Sequence, residues 1–269
     1  MVRLALLSLV VMACLGAASP PVLDANVVFP RALPTATLSD WTAAPGRAVV
    51  SIQTSDAVLR GWSYSAPASG APTVLAFGGN GYSIASVDDT LRGLAAQGTN
   101  FVEYDYRGYG FSDGQPDMLA IQQDALQLYD ATVKANGNAP VVVFGYSLGT
   151  AFASYVASRR AVRGLVLVAP MSSITDEYEF LSKGRSDGFT LAPNAETLDE
   201  AGFVTHSQAP LLIVHGDADE LISIAEGRKV FAASPASQKT FVAVPRASHV
   251  GMIENPTTLA AFKAFLSSL

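Results

Sequence analysis

Val141-Val142-Val143-Phe144-Gly145-Tyr146-Ser147-Leu148-Gly149-Thr150 is the stretch on which the fold turns. Its first four residues are continuously apolar, as a strand buried on both faces requires. From Thr150 to Ser158 the chain reads as a helix. Between the two, Gly-Tyr-Ser-Leu-Gly matches G-x-S-x-G in the strand–turn–helix setting that makes this short pattern informative. The glycines have a steric reason. A serine in a strained turn leaves no room for side chains at 145 and 149, which would collide with neighbouring backbone. Ser147 is therefore a candidate nucleophile; the bland alternative is a serine buried in a glycine-rich turn.

Working outward, further short apolar runs occur at Thr73–Phe77, Phe101–Tyr106, Leu165–Ala169, Leu211–Val214 and Thr240–Val244. Such runs imply a parallel sheet covered by helices. Arg47–Gln53 and Val58–Tyr64 read as strands of an antiparallel hairpin turning at Thr54-Ser55-Asp56. In the helical stretch Met118–Lys134, the residues Leu119, Leu126, Tyr129 and Val133 mark the expected buried stripe. The expectation is one α/β domain over 47–269, with a mostly parallel sheet, an N-terminal antiparallel hairpin and helices on both faces. Residues 171–208 exceed an ordinary connection and carry Tyr178, Phe180, Phe189 and Phe203. They read as a short lid over the sheet edge or as a surface excursion without a substrate role.

A serine hydroxyl needs a base, and the base needs an orienting acid. His215-Gly216-Asp217-Ala218-Asp219 closes one strand, and Arg246-Ala247-Ser248-His249 follows the last. The order Ser, Asp, His, each past the C-terminal end of a strand, puts all three at the edge where ligand chemistry gathers. A fourth block, Asp105-Tyr106-Arg107-Gly108-Tyr109-Gly110-Phe111-Ser112-Asp113-Gly114, follows another strand. On these four blocks the chain, from about Arg47 to Leu269, resembles the α/β-hydrolase superfamily. Its motifs are similar to D-Y-R-G-Y-G-x-S-x-G and H-G-x-x-D of the cap-poor branch around bud-emergence proteins and acyl-protein thioesterase-like serine hydrolases.

The resemblance implies the α/β-hydrolase fold and a catalytic set of Ser147, Asp219 and His249, with Asp217 as the local competitor for the acid. His215 is expected to pack at a strand end, and His206 to lie in the tail of 171–208. Where relatives carry His-Gly, this chain has Phe77-Gly78-Gly79-Asn80-Gly81. An oxyanion hole uses backbone N–H groups, so the donors are assigned to Asn80 and Leu148, with Gly79 the alternative one register away. Arg107 and its neighbouring glycines read as fixing the turn after a strand. Tyr82 and Tyr146 flank the site, as pocket lining or as packing.

The composition agrees with a globular enzyme. Of 269 residues, 49% are apolar and 15% charged, enough for a sizeable core and incompatible with disorder or collagen. A net charge of −6 argues against a nucleic-acid partner. One cysteine and three histidines leave no disulfide framework, Cys-based zinc cluster or His-rich metal site, so neither metal nor cofactor is expected. Gly78-Gly79-Asn80-Gly81 fits no phosphate-binding loop.

Residues 1–19 read as a signal peptide: Arg3, an apolar run from Leu4 to Ala13, then small residues. Val11-Met12-Ala13-Cys14 is similar to a lipobox, giving two readings, a lipoprotein anchored through Cys14 or a secreted or periplasmic protein cleaved near Ala18. Residues 20–46, rich in proline, read as an extended lead-in, and as a membrane tether if Cys14 is lipidated. The leading expectation is an exported serine hydrolase acting on a small-molecule carboxylic ester or thioester. The alternatives are a peptidase or amidase on the same residues, or a non-catalytic binding module of the same fold.

Overall fold

Each apolar run sends successive side chains to opposite faces, because a strand has a period of two. Leu75, Val143, Leu165 and Ile213 thus enter one core, while Val74, Val142, Val166 and Leu212 enter another. A sheet with two apolar faces must be covered on both, and the helices do so. The computed structural model describes residues 22–29, 37–81, 83–181 and 190–269. The expected signal segment with Cys14, residue Tyr82 and residues 182–189 of the expected lid lie outside the described residues.

The strands are β1 (Val22–Leu23), β2 (Arg47–Gln53), β3 (Val58–Tyr64), β4 (Thr73–Phe77), β5 (Asn100–Tyr104), β6 (Val142–Tyr146), β7 (Gly164–Val168), β8 (Thr190–Leu191), β9 (Leu211–Gly216) and β10 (Lys239–Val244). The helices are α1 (Asp88–Ala95), α2 (Met118–Ala135), α3 (Leu148–Arg159), α4 (Ile174–Leu181), α5 (Glu200–Val204), α6 (Ile224–Ala233) and α7 (Pro256–Ser267). Eight strands form the main sheet in the order β10-β9-β7-β6-β4-β5-β3-β2. Pairing is parallel except where β3 runs against β2 and β5. After β4 the chain adds β5 on one side, then returns to place β6 on the other. The crevice at that reversal is where doubly wound sheets hold their ligands.

Leu91 and Leu94 of α1 and Phe262 and Phe265 of α7 cover one face; α2, α3 and α6 cover the other. Phe152 of α3 packs against Phe77 at the end of β4 and Tyr106 after β5, with ring centroids 6.5 and 5.1 Å away. That cluster sets the height of α3 against the loops of the sheet edge.

Two expectations change. In α2 the buried stripe is Met118, Ile121, Ala125, Leu128 and Tyr129, whereas Leu119 is exposed. The stripe is rotated because Gln122, Asp124 and Thr132 also face inward, each held by a hydrogen bond: to the Thr197 carbonyl, to Arg107 and to the Leu128 carbonyl. The second change concerns the lead-in. Leu23, Ala25 and Phe29 are buried, β1 pairs with β8, and Asn26 accepts from the backbone N–H of Met118. Residues 22–29 are therefore packed against the domain instead of hanging free. The described residues of 171–208 also pack down: Ala195 and Leu198 are fully buried, and α5 lies against α3 and α6.

Candidate active site

Ser147 caps α3 with φ 53° and ψ −125°, a left-handed conformation that costs a non-glycine residue of the order of 1–3 kcal/mol. The neighbourhood enforces it. A Cβ on Gly145 would lie 2.5 Å from Thr150 Cα, and one on Gly149 would lie 2.0 Å from the Phe77 carbonyl oxygen. The strained turn frees the Ser147 hydroxyl from capping its own helix, and it points to His249 instead.

Ser147 Oγ lies 2.9 Å from His249 Nε2, and His249 Nδ1 lies 2.8 Å from Asp219 Oδ2. The other oxygen of Asp219, Oδ1, accepts backbone N–H groups of Leu221 and Ile222, each at 2.9 Å. Asp219 and His249 are both buried. These three side chains come from the ends of β6, β9 and β10, so the structure brings together the three residues that the sequence pointed to. Asp217 is left out. It is exposed and its Oδ1 accepts the Arg246 backbone N–H at 2.5 Å, fastening the β9 loop to the β10 loop. The same two loops touch at Gly216, where a Cβ would meet the Ala247 carbonyl oxygen at 2.2 Å.

His215 is fully buried, and its Nε2–H donates to the Ile222 carbonyl at 3.0 Å. Burial pushes its pKa down, so the ring is neutral beneath the Asp219 loop. His206 is exposed. Tyr146 stacks on His249, with centroids 5.3 Å apart and planes at 27°, and its hydroxyl donates to the His249 carbonyl at 2.9 Å. Burial raises its pKa, keeping the phenol a donor.

The Gly78–Gly81 loop faces the first turn of α3, since the Cβ missing from Gly149 would also meet the Gly78 carbonyl oxygen at 2.6 Å. Tyr106 donates to the Gly78 carbonyl at 2.7 Å. The Asn80 side chain is clamped from two sides: its Nδ2 donates to the Val28 carbonyl, and its Oδ1 accepts from Tyr109 at 2.9 Å. The backbone N–H groups of Asn80 and Leu148 thus belong to neighbouring, pinned segments. The positive end of the α3 dipole lies at the same place.

Asp105 anchors the block that follows β5. Its carboxylate accepts the backbone N–H groups of Ile84 and Phe111 at 2.8 and 2.9 Å, tying that block to the helical turn that follows the Gly78–Gly81 loop. Arg107 grips Asp124 of α2 through Nε and Nη2, at 2.6 and 2.7 Å, and Asp56 at 3.1 Å. It fixes the turn, as its place in the sequence implied.

Sequence reasoning missed a set of buried acids behind the site: Glu177, Glu200 and Glu226. The visible signal was the hydroxyl pair Thr150 and Ser154, one turn apart among the apolar residues in the first two turns of α3, which calls for a buried polar partner.

Comparison with known proteins places this arrangement. A family model described as Serine aminopeptidase, S33 (Hydrolase_4) matches residues 69–195. The esterase Pf2001 of Pyrococcus furiosus superimposes with a TM-score of 0.65 at 17% identity, over 94% of this chain and 98% of that one. The chain has the α/β-hydrolase fold. Among relatives in sequence, the lysophosphatidylserine lipase ABHD12 of Macaca fascicularis is 31% identical over 166 residues. That alignment takes in 53% of this chain and 40% of the lipase, so the chain matches well under half of that relative's length. A Mycobacterium tuberculosis protein described as uncharacterized is 28% identical over 90% of this chain and 86% of its own length.

Proposed function

We propose that this α/β-hydrolase is a serine hydrolase that cleaves carboxylic esters or thioesters through an acyl-enzyme. The observation that carries the reading is the continuous hydrogen-bonded line from Ser147 Oγ through both ring nitrogens of His249 to Asp219. A carboxylate oxygen can only accept, so Asp219 holds the imidazole proton on Nδ1 and leaves Nε2 to take the Ser147 proton. Ser147 Oγ attacks the acyl carbon as its proton passes to Nε2. His249 then returns that proton to the departing alcohol or thiol. In the second half, water gives its proton to Nε2 and its oxygen to the acyl carbon, releasing the acid and restoring Ser147.

The carbonyl oxygen gathers charge at both tetrahedral stages. The backbone N–H groups of Leu148 and Asn80 are the proposed donors to it, aided by the α3 terminus. Relatives named as a lipase and an esterase favour an acyl ester as substrate, and a lipid-like one in the first case. An amine leaving group is the second reading, supported by the Serine aminopeptidase description of the matching family model. The N-terminal segment goes with an exported enzyme. Lipidation at Cys14 would hold it at a membrane surface, and Cys14→Ser would then move it to the soluble fraction or block its maturation.

The test combines labelling and turnover. A fluorophosphonate probe is expected to add to the peptide containing Ser147 and not to label Ser147→Ala. p-Nitrophenyl esters of graded acyl length are expected to turn over, and aminoacyl p-nitroanilides to remain intact. Labelling at another residue would overturn the assignment, anilide cleavage in preference to esters would favour the peptidase reading, and absence of both labelling and ester turnover would leave a binding module.

A further inference from the structure

Glu200 opens α5, is fully buried, and reaches α3 from the segment between β7 and β9. Its Oε2 lies 2.8 Å from Thr150 Oγ1 and its Oε1 lies 3.0 Å from Ser154 Oγ. Thr150 Oγ1 also lies 2.6 Å from the carbonyl oxygen of Ser147. A hydroxyl has one hydrogen to give. If Glu200 were ionised, Thr150 could donate to Glu200 or to the Ser147 carbonyl, and the other contact would set two oxygens together with no proton between them. With Glu200 protonated every contact is used: Glu200 donates to Thr150, Thr150 donates to the Ser147 carbonyl, and Ser154 donates to Oε1.

The Ser147 carbonyl and the Leu148 N–H are opposite edges of one rigid peptide plane, so fixing the first aims the second. We propose that Glu200 is a positioning residue, held as the neutral acid, which acts through Thr150 to orient the Leu148 N–H toward the acyl oxygen. The proposal rests on the reading of Leu148 as an oxyanion donor. Burial raises the Glu200 pKa to about 8, and the hydroxyl contacts only partly oppose the shift. The charged groups on the packed helices agree. On α6 the Glu226 carboxyl reinforces protonation, Lys229 is bound to Asp176, and Arg228 lies over Phe241. On α3, Arg159 lies over Tyr155. Among the described residues no cation pairs with Glu200.

The variants are Glu200→Gln, which keeps one donor and one acceptor, Glu200→Leu, and Thr150→Val, which keeps the volume of Thr150 and removes its hydroxyl. For Glu200→Leu and Thr150→Val, kcat on a p-nitrophenyl ester is expected to fall about tenfold or more with KM unchanged. Outright loss of an oxyanion donor, roughly 10²–10³-fold, is the ceiling. Glu200→Gln is expected to rescue turnover at pH 7. Wild-type kcat should decline as Glu200 ionises, with a midpoint near pH 8, and Glu200→Gln should abolish that decline. Full turnover in Thr150→Val, or an unchanged alkaline limb in Glu200→Gln, would overturn the proposal. A measurement independent of turnover is the ¹³C resonance of the Glu200 carboxyl, assigned by its loss in Glu200→Gln. It should keep its protonated value at pH 7, and titration in the ordinary carboxylate range would refute the proposal even in an enzyme with no detectable esterase activity. Inactive wild type with a protonated Glu200 would instead overturn the esterase reading alone.

Discussion

Asn80→Ala separates the support of the Gly78–Gly81 loop from its chemistry. Truncation removes two hydrogen bonds, to the Val28 carbonyl and from the Tyr109 hydroxyl, each worth about 1 kcal/mol net. Tyr109 is only 1% exposed, so its hydroxyl would be left buried without this partner, a loss at the upper end of the roughly 1–3 kcal/mol range. Together these give about 3–4 kcal/mol, or a fall in Tm of about 6–16 °C for a domain of this size. Activity should drop further than stability accounts for, because the proposed donor would then sit among three glycines in a loop held only by Tyr106 at the Gly78 carbonyl. The bound is the ~10²–10³-fold cost of losing one donor. Adding Tyr109→Phe removes the stranded hydroxyl and should restore about 1–2 kcal/mol without restoring kcat. Thermal melts and ester kinetics on the single and double variants read the two effects separately. Wild-type kcat in Asn80→Ala would refute the idea that this side chain preorganises the loop.

Asp219→Asn should lower kcat by about 10⁴-fold, as loss of the orienting acid does elsewhere, while Asp217→Asn should leave it within a few-fold; the reverse ranking in ester kinetics would move the acid to Asp217. Gly149→Ala should destabilise the protein by about 1–3 kcal/mol or more, since its Cβ can be housed only by parting α3 from the end of β4, and a denaturant melt matching wild type would contradict that packing. Burial raises Glu103 to about 8 and Glu226 to about 7, so the folded state keeps protons that the unfolded chain releases near pH 4.5. Their contribution is complete below that value and is lost as pH rises toward 8; Tm should fall over this window, and Glu103→Gln should flatten the fall by an amount on the order of a few kcal/mol at pH 8.

How much of this was legible in the sequence depends on whether apolar character or a hydrogen bond places a residue inside. The bounds of β4 follow from its apolar run because that strand is placed by hydrophobic contact, and those of β2 and β3 from the hairpin that pairs them. The face of α2 was misread because Gln122 and Asp124 occupy inward positions by virtue of partners outside the helix, and Thr132 by bonding back to the Leu128 carbonyl of the preceding turn; no period reveals such partners. Glu200 was hidden for the same reason: beside Asp199 it reads as a solvated acid, and only the hydroxyls of α3 make it a buried one. Ser147, Asp219 and His249 were legible because backbone geometry at strand ends demands the glycines and turns around them. Residues 22–29 were misjudged from the prolines on either side of them, Pro20, Pro21 and Pro30, although Leu23 and Phe29 already offered apolar side chains to a core.

The clamp on Asn80 has a mechanical consequence. Val28 is six residues from the start of β1, and its carbonyl is one of the two grips on the Asn80 side chain, in the loop that carries the proposed donor. A pull applied to the chain upstream of Val22 loads the two-residue pairing of β1 with β8 and, as that yields, the Val28–Asn80 bond. Anything tethered at that end is therefore in series with the catalytic loop, and tension on it would loosen the site before it disturbed the sheet.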